Sequence, residues 1–380
     1  MIQITRLQAW AFRSPTQKPV STSFGTMHDR PAVMVRVESS DGAFGWGEIF
    51  ANWPAAGAEH RIRLLQMDIA PLVLGACFDH PGDVFTDLDR MTRIRAVQCG
   101  ETGPFAQVIA GLDCAVWDLA ARRAGLSLRH FIRRDAPDFV PAYASGIEVS
   151  AGADIIHQAR AQGHNRFKVK VGFNEHTDAA QVRHIIDDAP SGETLACDAN
   201  QAWTLPQAQR FVDTVSDLPL SWIEEPLPVF APPDHWRALS ASSALPLAGG
   251  ENIAGRAEFS AAIDAGHLSV FQPDVAKWGG ITGCLAVAAQ ALAQGRRYCP
   301  HFLGAGLGLI ASAELLAAVG GDGALEVDVN PNPLRTLFFG DKEPVSDGNW
   351  ICQTNSSCGL GVEQLPDGLR AFETLVCEIR

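Results

Sequence analysis

The sequence predicts an α/β protein: a (β/α)8-type barrel preceded by a smaller α+β domain. Three observations predict it. From about residue 140, strand-like apolar runs alternate with helical patterns at intervals of roughly 22 to 29 residues, the length of one βα unit. Seven consecutive runs end in ionisable groups, as the strand ends of an enzyme barrel do. The chain has 380 residues, 47% apolar and 19% charged, enough for a large core and longer than one ordinary domain. A doubly wound open sheet is the alternative.

The elements follow in order. "IQITRLQAWAF", "AVMVRVES" and "GAFGWGEI" read as an antiparallel meander with a turn at Asp41-Gly42. Pro104 to Arg123 repeats its apolar positions at three and four, and Arg122-Arg123 followed by Gly125 is a helix stop. Residues 1–125 are therefore expected to form the α+β domain. The barrel strands are "VPAYASG" (140–146), "FKVKVG" (167–172), "TLACDAN" (194–200), "LSWIEEP" (220–226), "LPLAGGEN" (245–252), "LSVFQPD" (268–274), "RYCPHFLG" (297–304) and "LEVDVN" (325–330). They place the barrel within 126–330. Residues 331–380 are too irregular for a further unit and are expected to pack back on the first domain.

Composition removes several classes. A net charge of −13 argues against nucleic acid, whose phosphates need a basic footprint. No apolar run approaches the roughly 18 residues of a membrane span, and "MIQITRLQAW" lacks a signal peptide's apolar stretch. Nine scattered cysteines without a CxxC pair read as reduced thiols, hence a cytoplasmic protein.

The strand ends carry the chemistry. Asp198, Glu224 and Glu251 close successive strands and lie 26 and 27 residues apart. In register they converge at one rim and repel one another unless a cation sits between them; hard oxygen donors suit Mg²⁺. Taken singly, each acid would read as a solvated loop carboxylate or a helix cap. In Glu224-Glu225 strand alternation turns only one side chain inward, and the pattern does not choose between them. Lys168 and Lys170 share a strand face. Each ammonium lowers the other's proton affinity, bringing one from a pKa of ~10.4 toward the ~7–8 of a general base. Asp274 and His301 close adjacent strands, so the carboxylate would fix the imidazole as a second acid/base. Strand eight ends at Glu326 and Asp328. "GAGLG" (304–308) lacks nucleotide-loop spacing and reads as a turn giving backbone access beside the site, and "GWGE" (45–48) as tight packing.

These residues resemble the enolase superfamily, and within it the mandelate racemase subgroup. The matching pieces are "KVK" (168–170), "DANQ" (198–201), "WIEEP" (222–226), "GEN" (250–252), "QPD" with "KWGG" (272–280), "PH" (300–301) and "LE" (325–326), across nearly the whole chain. The resemblance implies a modified TIM barrel, (β/α)7β, with an α+β capping domain built from the amino-terminal region and carboxyl tail. It implies Mg²⁺ on Asp198, Glu224 and Glu251, which would settle the Glu224/Glu225 choice. Lys170 would be one base with Lys168 its tuner, His301–Asp274 the other, and protonated Glu326 would bond the substrate carboxylate. It also implies a homo-oligomer. Asp274 stands where the muconate-lactonising subgroup carries a second catalytic lysine. One departure is "RHFIRRD" (129–135), where relatives often have Leu-Leu-Gly-Gly; it touches a domain junction.

The shared chemistry is abstraction of the α-proton of a carboxylate to give an enediolate. The leading expectation is dehydration of a sugar acid to a 2-keto-3-deoxy acid. The alternatives are a racemase, epimerase or cycloisomerase of a related acid or lactone and, from a different class, a non-catalytic acid-binding protein. Substrate contacts are expected from Asn200 and from cap loops around Ser21–Arg30 and Ile49–Trp53, with Phe24, His28 and Trp53 as candidates.

Overall fold

The computed structural model describes residues 1–22, 25–340, 342–352 and 358–380. It opens with a long hairpin, β1 (Ile2–Thr22) antiparallel to β2 (Gly25–Ser39), with β3 (Phe44–Ile49) on β2 and β4 (Cys77–Phe78) on the start of β1. The expected loop at Ser21–Arg30 is thus the far end of a hairpin. Pairing resumes after a register shift between Pro15 and Val20 and reaches Thr22↔Gly25. Prolines remove ladder donors and interrupt the alternation there, which is why the sequence hides these strands.

The eight barrel strands are β5 (Phe139–Glu148), β6 (Arg166–Lys170), β7 (Thr194–Asp198), β8 (Leu220–Glu224), β9 (Leu247–Gly249), β10 (Val270–Phe271), β11 (Arg297–Tyr298) and β12 (Leu325–Asp328). Parallel ladders join β12-β5-β6-β7-β8-β9-β10-β11. A helix follows each strand from β5 to β11, giving the (β/α)7β plan. In the tail, β13 (Val345–Ser346) and β14 (Asn349–Ile351) form a hairpin, and β14 pairs with the first residues of β5. β15 (Glu373–Ile379) returns to β1 in the capping sheet.

Alternation in β6 sorts its side chains. Phe167 and Val169 pack outward among the helices, with Ile156, Val182 and Ile185. The barrel interior is filled by Tyr143, Ala196, Trp222, Ala248, Val270, Cys299 and Ala324, from every strand region except β6. β6 contributes Lys168 instead, 1% exposed. Small residues on most strands leave room for that long side chain and for the crossed rings of Tyr143 and Trp222, 5.3 Å apart.

The helix Thr102–Arg123 is buried along most of its length, between β3 and the barrel. Gly45 and Gly47 permit its approach: a Cβ on them would lie 2.0 Å from the Ala115 carbonyl oxygen and 2.1 Å from that of Gly111. Two buried carboxylates satisfy backbone donors across this junction. Asp113 accepts from Thr282 N (2.9 Å) and Oγ1 (2.6 Å) on the barrel side, and Asp118 from Trp46 N (2.7 Å) and Leu360 N (2.6 Å). At the "RHFIRRD" departure, buried Arg129 bridges Glu314 and Asp138, each at 2.7 Å.

Candidate active site

The carboxyl ends of the strands open into a cavity of about 250 Å³. Its lining includes Lys170, Asp198, Asn200, Glu251, His301 and Glu326 from the barrel, and Trp53 from the cap. Lys168 and Asp274 stand behind this wall, bonded to its members Glu326 and His301, and Glu224 is bonded in turn to Lys168.

β6 delivers both lysines to one face, at different depths. Lys170 Nζ reaches Asn200 Oδ1 (2.5 Å) and Asp198 Oδ2 (3.4 Å). Lys168 Nζ lies one pleat deeper, 2.6 Å from Glu224 Oε1, 2.8 Å from Glu326 Oε1 and 3.9 Å from Asp198 Oδ2. Burial draws the Lys168 pKa down, but Glu224 and Glu326 outweigh it and hold the ammonium well above its ordinary value. The depression expected from paired lysines is therefore reversed at Lys168, because carboxylates and not a second ammonium are its nearest charges.

His301 Nδ1 is 2.7 Å from Asp274 Oδ2, and its Nε2 is 2.5 Å from Glu251 Oε2. Asp274 Oδ1 is itself fixed by the Ala276 N–H at 2.8 Å. Burial lowers the imidazole's proton affinity, while Glu251, Glu326 and Asp274 raise it further, so His301 is held protonated well above the usual range. Glu326 accepts from Ser145 Oγ (2.5 Å) and Phe302 N (3.2 Å). Burial raises its pKa, yet Lys168 and His301 win and lower it. The protonated Glu326 of the sequence reading runs against these surroundings, in which Lys168 and His301 face the carboxyl.

Both members of Glu224-Glu225 are buried, in different places. Glu224 ends the strand inside the barrel, held by Lys168, Trp222 Nε1 (3.1 Å) and Gln272 Nε2 (2.5 Å). Glu225 leaves the strand with φ +40°, which turns its carboxylate onto Asn252 Nδ2 at 2.9 Å. Asn200 and Gln201 also take positive φ, +44° and +65°, so the backbone is strained at two adjacent strand ends.

The cap residues divide differently. Trp53 lines the cavity, its ring lying against Gly25 of the hairpin. His28 is exposed and lies outside the cavity; strand alternation puts Met27 on the inner face. Phe24 lies outside the described residues. Asp328 is engaged elsewhere, in a buried pair with Arg30 at 2.8 Å. Met27, Phe50 and Asn52 line the cavity from within the two expected cap loops, and Asn252 from the end of strand five, whereas the sequence reading missed Gln107 and Lys277, which also line it. The "GAGLG" backbone is not open to the site. Glu48 of "GWGE" accepts from Ala305 N (2.6 Å) and Gly308 N (2.8 Å), clamping the loop that follows His301.

Residues 6–132 match the family described as Mandelate racemase / muconate lactonizing enzyme, N-terminal domain, and residues 153–367 match Enolase C-terminal domain-like. The chain belongs to the enolase superfamily. Among solved structures, a mandelate racemase/muconate lactonizing enzyme from Bordetella bronchiseptica RB50 is 45% identical, with a TM-score of 0.90 over 97% of this chain and 99% of that one. An L-talarate dehydratase from Polaromonas sp. JS666, complexed with Mg and L-glucarate, is 25% identical, with a TM-score of 0.82 over 100% and 99%. The D-galactarolactone cycloisomerase of Agrobacterium fabrum is 26% identical over 98% of this chain and 99% of its own. This enolase superfamily member is an enzyme of the mandelate racemase subgroup, a lyase or isomerase.

The donors match the hard cation that such enzymes use. Asp198, Glu224 and Glu251 are carboxylates at the ends of consecutive strands, and Asp198 and Glu224 are each 2% exposed. Burial, with Asp198 and Glu326 nearby, pushes Glu224 up to about 7 despite Lys168, a repulsion that a divalent charge relieves. Glu224 and Glu251 are turned onto Lys168 and His301. Among the described residues no group of three or more His, Cys, Asp or Glu side chains stands at metal-holding spacing.

Proposed function

We propose that this enzyme removes the α-proton of a small sugar acid and expels the neighbouring hydroxyl as water, giving a 2-keto-3-deoxy acid. One observation carries the reading: Lys170 and His301, the latter backed by Asp274, face a single small cavity. That cavity suits an acid of a few carbons and is too small for a nucleotide.

Asp198, Glu224 and Glu251 would hold Mg²⁺, which when bound supplies a Lewis acid for the substrate carboxylate. Lys170 takes the α-proton. Lys168, kept charged by Glu224 and Glu326, offsets the negative charge that develops. His301 gives its Nε2 proton to the C3 hydroxyl while Asp274 holds Nδ1. The α C–H and C3–O bonds break, a C2=C3 bond forms, water leaves, and the enol tautomerises to the ketone. With no leaving group at C3, His301 returns its proton to the opposite face and the outcome is epimerisation. Two acid/base groups on one cavity serve that second reading equally.

The test is a panel of aldonates and aldarates with Mg²⁺, assayed for 2-keto-3-deoxy product and by polarimetry. Keto product supports dehydration, whereas optical change without keto product selects the epimerase. No turnover and no α-proton exchange on any acid would remove both.

A further inference from the structure

The cavity wall contributed by the cap holds two amides whose polarity is dictated by their partners. Gln107 projects from the helix Thr102–Arg123, and its Oε1 accepts from Arg61 Nε at 2.7 Å. Arg61 is 1% exposed and is fixed further by the Trp53 carbonyl oxygen (2.8 Å) and His60 Nδ1 (2.9 Å). A guanidinium only donates, so Gln107 must turn its oxygen to Arg61 and its NH₂ toward the cavity that it lines. Asn52 is the converse. Its Nδ2 donates to the Leu303 carbonyl oxygen at 3.1 Å, which leaves its own oxygen for the cavity. Among the described residues, neither Gln107 Nε2 nor Asn52 Oδ1 has a hydrogen-bond partner within the protein. Between them the wall is apolar, with Met27, Phe50 and Trp53.

We propose that Gln107 and Asn52 are specificity-determining residues that read hydroxyl groups at the end of the substrate remote from its reacting carboxylate, Arg61 acting as the positioning residue that fixes the Gln107 amide. This rests on the sugar-acid reading above and sharpens it. An Asn52 oxygen aimed at the ligand calls for an O–H donor and repels a second carboxylate placed against it. A Gln107 NH₂ calls for an oxygen acceptor. A hydroxylated chain satisfies both, whereas an apolar end leaves two desolvated polar groups unpaired, the situation in which a site rejects an analogue most strongly.

The experiment is calorimetric binding to the Mg²⁺-supplemented protein. The ligands are six-carbon aldonates and aldarates, set against 2-hydroxyhexanoate and 2-hydroxyadipate, which keep the reacting end and lack the remaining hydroxyls. Wild-type protein should bind its best sugar acid at least about tenfold more tightly than the matched deoxygenated acid. Gln107→Leu should bring that ratio within about threefold, chiefly by weakening the sugar acid. Arg61→Met should do the same without residue 61 touching ligand, and Arg61→Lys, which keeps a donor, should restore part of it. A wild-type ratio near one, a ratio unchanged in Gln107→Leu, or no binding of any sugar acid overturns the proposal. Exchange of the α-proton by wild-type protein in deuterated water is scored separately and reports only on the reaction at the other end.

Discussion

Lys168 and Lys170 stand two residues apart on β6 yet meet different surroundings, and the proposed division of labour follows from that. Lys168 is enclosed by Glu224 and Glu326, whereas Lys170 reaches the cavity beside Asn200. In deuterated water, Lys170→Ala and His301→Asn should each lose α-proton exchange on one face of the substrate, measured by NMR; exchange persisting on both faces in both variants would remove the two-base scheme. Glu48 offers a test by pH. Burial pushes its carboxyl up to about 7 against the backbone bonds from Ala305, Gly308 and Leu307 that lower it. A raised folded-state pKa means that stability is fully present below the ordinary value of about 4.5 and is lost as pH climbs to about 7. Glu48→Gln should therefore show a smaller fall in Tm than wild type between pH 5 and pH 8. The residues legible in the sequence were those that close strands, since position in a βα unit announces them. Asn52 falls within a cap loop expected at the site, whereas Gln107 and Arg61 close no barrel strand, and only folding brings them there.

The eight barrel strands could be read because each is a short apolar run bounded by turn residues, even where only two residues, such as Val270–Phe271, are paired. The hairpin extension could not, because Pro15 and Pro19 break its period. "GWGE" was legible as tight packing, but not for what it packs against. Gly47→Ala should destabilise the enzyme by about 3 kcal/mol or more, since the new methyl meets backbone that cannot step aside. Gly42→Ala, with φ +81° and open space around it, should cost only about 1 kcal/mol of backbone strain. Urea melts of the two variants measure the difference, and equal losses would mean that the helix Thr102–Arg123 shifts easily on its sheet.

At the scale of the molecule, cap and barrel are tied by bonds that each leave one unit and end in the other: Asp113 to Thr282, Phe50 N to the Ala276 carbonyl oxygen (3.1 Å), Arg30 to Asp328, and Glu48 to the loop after His301. The proposed cation site lies at this seam. Excess chelator should abolish turnover and added Mg²⁺ restore it, with Tm rising as Mg²⁺ is titrated in. Full activity in chelator would remove the metal assignment. The clamp by Glu48 also bears on how such proteins can be recombined. A chimera that grafts another relative's cap onto this barrel imports a new cavity wall, but it inherits a working His301 loop only if a carboxylate arrives at position 48 to meet Ala305 and Gly308. Substrate choice and acid/base geometry are in that sense one transplantable unit, and exchange at the obvious junction near residue 125 would separate them.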